Sequence, residues 1–292
     1  MFRKKQQHLY LGDFSIESCT AINTKTNFTK IGRLSLEGIY ENKKVKIFEC
    51  HNPAHARFVS QVMSHPSYKK FFPKVYAVHG AIIVSEWVQG RTARARDIRD
   101  NKTLMEEIST FFSLIHSNIS SEILQQNCGF DYSKDLLQTR FIKCCDTLEL
   151  KGFCERVLMS INKAYSVSRL QLSHPDISSQ NIIISKKNNE FKIIDNELIS
   201  ISSFHPFDLL NFAFFLGTER FEASNREAAI YESIEQILNR MTEEDLMNIW
   251  LMRYVGARFH AGNIESVINF STNSLEENLK IFPFLRKFRF IQ

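Results

Sequence analysis

The first ninety or so residues alternate between apolar and polar positions over short distances. This pattern predicts five strands, at 28–34, 36–40, 44–49, 72–78 and 81–87. Asn42-Lys43 is expected to form the hairpin turn between the second and third strands. Pro53 is suited to a first helical turn, so a helix is predicted over 54–64. The N-terminal part of the chain should therefore be strand-rich.

After Gly90 the apolar positions recur with the period of a helix. This period predicts helices at 104–116, 141–160, 162–170, 207–216, 225–241 and 243–259. Two short strands interrupt them, at 182–185 and 191–194, joined by a polar turn over 186–190. The sequence thus predicts an α+β protein with a small strand-rich N-terminal lobe, 1–88, and a larger helical C-terminal lobe, 89–292.

The composition is that of a globular protein with a sizeable core. Of the 292 residues, 43% are hydrophobic and 24% are charged, and the net charge is +5. Such a mild positive excess favours an anionic partner, for example a nucleotide, an acidic glycan or a membrane surface. The basic residues form no concentrated stripe, so no nucleic-acid partner is expected.

Cysteine usage and the N-terminal segment indicate the compartment. The six cysteines form no C-x-x-C pair and no Cys/His cluster with the spacing of zinc ligands, so reduced thiols are expected. Met1–Asp13 is basic and polar and lacks the apolar segment of a secretory signal. No apolar run reaches the length of about eighteen residues that a membrane-spanning helix needs. The expected location is the cytoplasm.

The stretch from His174 to Glu197 offers a set of oxygen donors suited to phosphoryl transfer. Asp176 and Asn181 follow His174 in the order H-x-D-x-x-x-x-N, and Asp195 ends the predicted hairpin. Phosphoryl transfer needs metal ions held by hard oxygen ligands, and a carboxylate that orients the attacking hydroxyl and accepts its proton. Asp176 is the candidate base, and Asn181 and Asp195 are candidate metal ligands. The hairpin should bring all three together.

Each of these residues also has a simpler interpretation. An aspartate after a proline is often a turn former or a helix cap. An asparagine ahead of apolar residues often ends a loop, and Asp195-Asn196 is suited to closing a hairpin. The joint pattern of spacing, hairpin and terminal acid favours a catalytic centre over three unrelated turns.

The same motifs resemble the catalytic and metal-binding loops of the aminoglycoside phosphotransferase/choline kinase family. The matching segments are His174-Pro175-Asp176 with Asn181, and Ile194-Asp195-Asn196-Glu197. Protein kinases carry H-R-D-x-x-x-x-N followed by D-F-G. The acid two positions after Asp195, in place of Phe-Gly, is similar to small-molecule kinases. The resemblance implies a two-lobed protein-kinase-like fold, ATP and Mg²⁺ as cofactors, a catalytic loop held by His174, and support from Glu197 at the metal site.

Less specific likenesses cover roughly residues 28 to 215. The segment Ile83–Gly90 resembles the hinge that holds adenine by backbone groups, which implies Glu86 and Val88 as nucleotide contacts. The segment Phe112–His116 resembles a family helix that ends in Leu-His. By the same analogy Asp208 supports the metal loop, although a helix N-cap explains this residue equally well.

The glycine pattern of the N-terminal lobe departs from the family. Gly32 and Gly38 do not form the G-x-G-x-x-G loop that lets the backbone approach phosphates. The preferred phosphate-neutralising lysine is Lys46, with Lys44 on the same strand face as the rival and with solubility as the simpler role for either.

The carboxylate that normally pairs with this lysine is missing from the predicted helix. From Cys50 to Ser85 the chain contains no Asp or Glu. Gln61 on the helix, or Glu49 on the strand, is the expected substitute.

The leading hypothesis is an ATP- and Mg²⁺-dependent kinase that phosphorylates a hydroxyl of a small molecule, such as a sugar, an amino-alcohol or a glycolipid sugar. The alternative is a pseudokinase-type nucleotide-binding module, because the helix acid and the glycine loop are absent. A protein kinase is the third reading. The acceptor site is expected to draw on the helical lobe, especially Ser117–Arg140 and the region after Gly217. The basic, aromatic run Phe282–Phe290 is suited to an anionic membrane or, equally, to packing on the lobe. The acceptor, the choice of ATP or GTP and the oligomeric state stay open.

Overall fold

The computed structural model describes residues 7–12, 14–21, 34–116, 120–126, 128–167, 170–185, 190–202, 208, 210–212, 241–282 and 285. The strands are β1 (Gln7–Leu11), β2 (Phe14–Ala21), β3 (Ser35–Tyr40), β4 (Lys43–Glu49), β5 (Val75–His79), β6 (Ile82–Glu86), β7 (Gly90–Thr92), β8 (Gln171–Ser173), β9 (Ile182–Ser185), β10 (Phe191–Ile193) and β11 (Ser200–Ser202). The helices are α1 (Pro53–Ser64), α2 (Ala95–Asp100), α3 (Lys102–His116), α4 (Ser121–Leu124), α5 (Thr139–Thr147), α6 (Lys151–Val167), α7 (Glu243–His260), α8 (Ile264–Thr272) and α9 (Leu275–Ile281). A π-helical turn, Tyr132–Gln138, precedes α5, and a 3-10 turn, Ser179–Asn181, precedes β9.

The N-terminal strands form one antiparallel sheet in the order β1-β2-β3-β4-β6-β5. The strands predicted at 36–40, 44–49 and 81–87 are confirmed as β3, β4 and β6. The strand predicted from residue 72 begins only at Val75, and Phe72 lies ahead of it in the core. The sequence pattern did not predict β1 and β2. The strand predicted at 28–34 lies outside the described residues except for its last position.

The turn between β3 and β4 lies one residue earlier than predicted. Tyr40 pairs with Lys43, so the two loop residues are Glu41 and Asn42. Both have left-handed backbone conformations, with φ of 47° and 59°. This geometry is that of a type I′ hairpin turn, whose twist matches that of the flanking strands.

Helix α1 begins where the sequence predicts. The side chain of Asn52 caps it by accepting a hydrogen bond from the His55 amide at 2.9 Å, and Pro53 occupies the first turn. Its buried face comprises His55, Ala56, Phe58, Val59, Val62 and Met63. Because its large apolar side chains are buried in the core that also contains the helices of the C-terminal part, α1 joins the sheet to the helical part of the molecule.

Two hydrophobic clusters divide the side chains of β4. Val45 and Ile47 are fully buried in a small cluster with residues of β1, β2, β5 and β6. Phe48 faces the other way, into the large core that includes α1, α3 and α5 to α7. Since side chains alternate along a strand, Lys46 must lie on the same face as Phe48. This alternation points Lys46 away from the small cluster.

The helical part agrees with the predicted periods at α3 and α7, and the helix predicted over 141–160 is wrong. The chain leaves the helix between α5 and α6, where Glu149 has φ of 56° and the Leu150 amide donates to the Cys145 carbonyl at 2.9 Å. Leu148 and Leu150 flank the break and keep the apolar period, which hides it in the sequence. The predicted helix 207–216 is helical at its described positions, 208 and 210–212, and 225–240 lies outside the described residues.

Two small sheets sit within the helical part. The predicted hairpin is confirmed as β9 and β10, and β7 pairs with β9 on its other side. β8 pairs with β11. The pair of β8 and β11 flanks the segment from His174 to Glu197, and the hairpin of β9 and β10 lies within it. None of the described helices is long and apolar enough to cross a membrane.

Replacement of Phe111 by Ala should destabilise the protein by about 3–5 kcal/mol, the range for deleting a fully buried phenylalanine. Its ring packs edge-on against Phe71 and Phe72, at centroid distances of 5.1 and 5.7 Å. Urea unfolding would measure the loss. The control is Met159→Ala, because Met159 is 72% exposed and its loss should change stability by less than about 0.5 kcal/mol. Equal effects in both variants would contradict this description of the core.

Candidate functional site

His174 begins the loop between β8 and the 3-10 turn, and its buried side chain anchors this loop. This residue is 1% exposed, and its Nε2 lies 2.8 Å from Oδ1 of Asn196. Asn196 donates its own amide to the Ile193 carbonyl at 3.1 Å, so its Oδ1 is an acceptor and His174 donates. Burial lowers the pKa of His174, which favours this neutral state. His174 therefore ties the loop at Asp176 to the loop at Asp195.

Asp208 fixes the same loop from a second direction. Its carboxylate accepts hydrogen bonds from the Ser173 hydroxyl and the His174 amide, both at 2.8 Å, and from Nε2 of His116 at 3.1 Å. Burial raises the pKa of Asp208 to about 7, opposed by these hydrogen bonds, and lowers the pKa of His116 to about 3. His116 is thus a neutral donor, and through Asp208 the end of α3 is joined to the loop that carries Asp176.

Asp176 and Asn181 lie side by side, as their spacing predicts. The Asn181 amide donates to the Asp176 carbonyl at 2.7 Å and to Oδ2 of its carboxylate at 3.3 Å. With the amide nitrogen committed to Asp176, the amide oxygen of Asn181 is the atom left to bind a cation.

Arg253, on α7, contacts the same aspartate and was missed by the sequence reasoning. Its Nη2 lies 3.3 Å from Oδ1 of Asp176, and its Nη1 donates to the Pro175 carbonyl at 3.0 Å. Arg253 belongs to no motif, and it is 77 positions from Asp176 along the chain. No local pattern in the sequence marks it.

Asp195 stands at the turn where β10 ends. The Ile194 amide donates to the Asn181 carbonyl at 2.8 Å, so the hairpin places Asn181 and Asp195 next to each other. Asp195 has φ of 63°, a left-handed conformation that is uncommon for a residue other than glycine. Such strain concentrates at functional sites. Its Oδ1 forms an ion pair with Nζ of Lys46.

The two rival lysines of β4 have different surroundings. The Lys46 side chain is 12% exposed and reaches Asp195 across the cleft. The Lys44 side chain is 45% exposed, pairs with Glu37 at 2.8 Å and lies 3.8 Å from the centre of the Trp87 ring. The structure thus brings Lys46, and not Lys44, to the acid at the hairpin end.

The expected substitutes for the missing helix acid do not serve Lys46. Gln61 is exposed on α1, and the Glu49 carboxylate accepts the Leu34 amide at 3.0 Å. Helix α1 instead reaches the site through His55, whose Nε2 lies 2.7 Å from the Ile199 carbonyl. Since Nδ1 of His55 accepts the His51 amide, Nε2 carries the proton and donates. The expectation that Gln61 or Glu49 pairs with Lys46 is therefore wrong. The contact between α1 and the segment after Asp195 comes from His55 instead.

A cavity of about 180 Å³ opens beside this ion pair. It is lined by Ser35, Lys46, Phe48, Pro73, Ser85, Glu86, Trp87, Val88, Ile183, Ile194, Asp195 and Asn196. Four of the residues that the sequence predicts at the nucleotide and metal site therefore line the same cavity: Lys46, Glu86, Val88 and Asp195. The Glu86 amide is already bonded to the Lys74 carbonyl at 2.8 Å. Val88 lies between β6 and β7, and within the described chain no hydrogen bond uses its backbone groups.

The donor set near Asp195 is small. Among the described residues, no group of three or more His, Cys, Asp and Glu side chains is placed to hold a metal ion. The Asp195 carboxylate and the Asn181 amide oxygen suit Mg²⁺, which takes one or two carboxylates and completes its shell with water and phosphate oxygens. Glu197 is 4% exposed and does not line the cavity, so the structure does not bring it to this space.

The region expected to form the acceptor site lies on the Asp176 side. Tyr132, in the π-helical turn, is buried, which raises its pKa to about 12, and the charges of Arg253 and Asp176 also act on it. π-Helical turns are frequent at functional sites. Of the basic, aromatic run Phe282–Phe290, only Phe282 and Leu285 are described, and its predicted membrane contact lies outside the described residues.

No protein-family model and no curated protein sequence matches the chain. Solved structures do match it. Choline kinase LicA from Streptococcus pneumoniae is 14% identical with a TM-score of 0.56, over 93% of this chain and 94% of that one. Plasmodium vivax ethanolamine kinase is 15% identical with a TM-score of 0.54, over 92% of this chain and 84% of that one.

The matching structures include nucleotide complexes. The amicoumacin kinase hAmiN, in complex with AMP-PNP, Ca²⁺ and Ami, is 11% identical with a TM-score of 0.57, over 92% of this chain and 87% of that one. A LicA structure contains AMP. At these identities the likeness concerns the fold, which extends over nearly the whole chain. The protein therefore has the two-lobed, protein-kinase-like α+β fold of the choline kinase and aminoglycoside phosphotransferase structures, as its motifs predicted.

Proposed function

We propose that this protein is a kinase that transfers the γ-phosphoryl group of ATP to a hydroxyl group of a small molecule. The observation that supports it best is the meeting of Lys46 and Asp195 at one cavity, with Asn181 and Asp176 on the adjoining loop. Residues 1–88 would form the nucleotide-binding lobe and residues 89–292 the catalytic and acceptor-binding lobe.

The cavity beside Lys46 would hold the nucleotide. Its apolar lining, which includes Phe48 and Ile183, suits the faces of an adenine ring. The backbone of Val88 would bind the edge of the base. Glu86, on the same hinge segment, would line the cavity that holds the nucleotide. The Lys46 ammonium would neutralise phosphate oxygens. AMP and AMP-PNP in structures of this fold support a nucleotide as the ligand of this protein.

Asp176 would act as the base. It would orient the acceptor hydroxyl and accept its proton, while the neutral His174 holds the loop in register with Asp195. Asn181 and Asp195 would hold Mg²⁺, and a bound metal ion neutralises charge that develops on the transferred phosphoryl group. Glu197 would act only from behind this site, because it lies outside the cavity.

The acceptor would be a sugar, an amino-alcohol or a glycolipid sugar. The matching structures are named as kinases of small molecules, among them choline, ethanolamine and amicoumacin. The sequence Asp195-Asn196-Glu197, without the Phe-Gly of protein kinases, supports the same class. The acceptor would bind beside Asp176, near Tyr132 of the π-helical turn.

A nucleotide-binding module without turnover is the second candidate. It is favoured by the absence of any acid on α1, the helix on which a carboxylate partner for the phosphate-binding lysine is expected. The deciding experiment is an acceptor screen. The protein is incubated with ATP, Mg²⁺ and a panel of sugars, amino-alcohols, aminoglycosides and glycolipids, and ADP release is followed. Acceptor-dependent release of ADP supports the kinase. Binding of ATP with no ADP release in the presence of any acceptor supports the nucleotide-binding module.

The variants Asp176→Asn and Asp195→Asn should each lower turnover by at least about 100-fold. The first removes a positioned base, which contributes about 10²–10⁴, and the second removes the carboxylate that would hold Mg²⁺. ADP release with the best acceptor of the screen would measure it, and circular dichroism would check the fold. Asp146→Asn is the matched control, since Asp146 is an exposed acid on α5. Turnover of Asp176→Asn or Asp195→Asn within threefold of the unchanged protein would rule out these roles.

The two lysines of β4 offer a matched pair. Lys46→Met should raise the KM for ATP at least about tenfold, because a charge-assisted contact to phosphate is lost. Lys44→Met should change the KM less than twofold, since Lys44 is exposed and bound to Glu37. Steady-state kinetics at varied ATP concentration would separate them. If both variants behave alike, Lys46 is not the phosphate-binding lysine.

A further inference from the structure

Arg253 makes a two-point contact with the catalytic loop from a helix far away in the sequence. One guanidinium nitrogen donates to the Pro175 carbonyl at 3.0 Å, and the other lies 3.3 Å from Oδ1 of Asp176. The first contact fixes the backbone just before the aspartate, and the second fixes its side chain. The planar guanidinium holds its two donors at a set spacing, so it can fix both points together.

This contact is shielded from solvent. The side chains of Arg253 and Asp176 are 15% and 13% exposed. Helix α7 is held in place by buried neighbours on both sides of Arg253, Met252 and Val255, and it packs against α5, α6 and the π-helical turn. A pair in such a setting is screened by water much less than a surface ion pair.

The two oxygens of the Asp176 carboxylate have different partners. Arg253 contacts Oδ1, and the Asn181 amide contacts Oδ2 at 3.3 Å. Contacts from two sides restrict rotation of the carboxylate. One of these partners comes from the loop itself and the other from α7, so the direction of the carboxylate depends on how α7 packs.

We propose that Arg253 is a positioning residue of the reaction, which sets the direction in which Asp176 meets the acceptor hydroxyl. This inference rests on the proposed kinase function. A base must lie within hydrogen-bond reach of the proton that it accepts, and small misplacements of a reacting group cost large factors in rate. Arg253 does not line the nucleotide cavity, so its loss should affect turnover and leave nucleotide binding alone.

The test compares Arg253→Ala, Arg253→Lys and Arg258→Ala. Arg258 lies on the same helix, is half-buried, and contacts Tyr254 instead of the catalytic loop. With ATP, Mg²⁺ and the acceptor found by the screen, Arg253→Ala should lower kcat by about 10- to 100-fold with the KM for ATP within twofold. Arg253→Lys should recover little of this loss, because an ammonium cannot make both contacts. Arg258→Ala should keep kcat within twofold of the unchanged protein.

Chemical rescue separates positioning from a general structural role. Guanidinium chloride at about 10–50 mM, well below denaturing concentrations, should restore part of the kcat of Arg253→Ala and leave Arg258→Ala unaffected. A kcat of Arg253→Ala within twofold of the unchanged protein would overturn the proposal. A loss that appears mainly in the KM for ATP, or a loss that guanidinium does not relieve, would also overturn it.

Amide hydrogen exchange tests the contact without any turnover. Exchange over 174–181 should accelerate at least about threefold in Arg253→Ala and stay unchanged in Arg258→Ala, because the loop loses a fixed point. Unchanged exchange in Arg253→Ala would overturn the proposal even if the protein is a kinase. If the unchanged protein releases no ADP with any acceptor, the kinase function fails while the exchange result still decides whether Arg253 holds the loop. Should Arg253→Ala not fold, Arg253→Lys carries both measurements.

Discussion

The ion pair between Lys46 and Asp195 connects the N-terminal sheet to the loop at the end of the β9–β10 hairpin. Both side chains are mostly buried, at 12% and 14% exposed, so neither charge is fully hydrated and each depends on the other. The lysine reaches the pair because Val45 and Ile47, its neighbours on β4, are buried on the opposite face. The aspartate reaches it through a left-handed backbone at the end of β10. The alternation of side chains along β4 and the left-handed backbone of Asp195 therefore bring the two charges together.

Buried histidines hold the elements around this pair. His174 joins the loop of Asp176 to that of Asp195, His116 joins α3 to Asp208, and His55 joins α1 to the segment after Asp195. In each case the geometry or the lowered pKa indicates a neutral imidazole with a fixed tautomer. The histidines thus act as oriented donors, a role in which a neutral ring avoids the cost of a buried charge.

Where sequence and structure disagree, the sequence carries no local signal. The break between α5 and α6 falls at Glu149, with leucines on both sides that preserve the apolar period. The turn between β3 and β4 shifts to Glu41-Asn42 because pairing along these two strands sets the register. The sequence predicts Gln61 or Glu49 as the partner of Lys46, and the structure supplies Asp195, which is 149 positions away. Contacts over such distances depend on packing, which a short window does not contain.

By itself, the sequence determined the α+β class, the confirmed strands and helices, and the grouping of His174, Asp176, Asn181 and Asp195 around one hairpin. These features are local, since a strand, a capped helix or a tight hairpin is encoded by residues a few positions apart. Only the tertiary structure decided that Lys46 and not Lys44 faces the cleft, that Glu197 lies outside the cavity, and that Arg253 contacts Asp176. These facts follow from how the sheet, the hairpin and α7 pack together, because packing decides which of several equivalent side chains comes within reach of another.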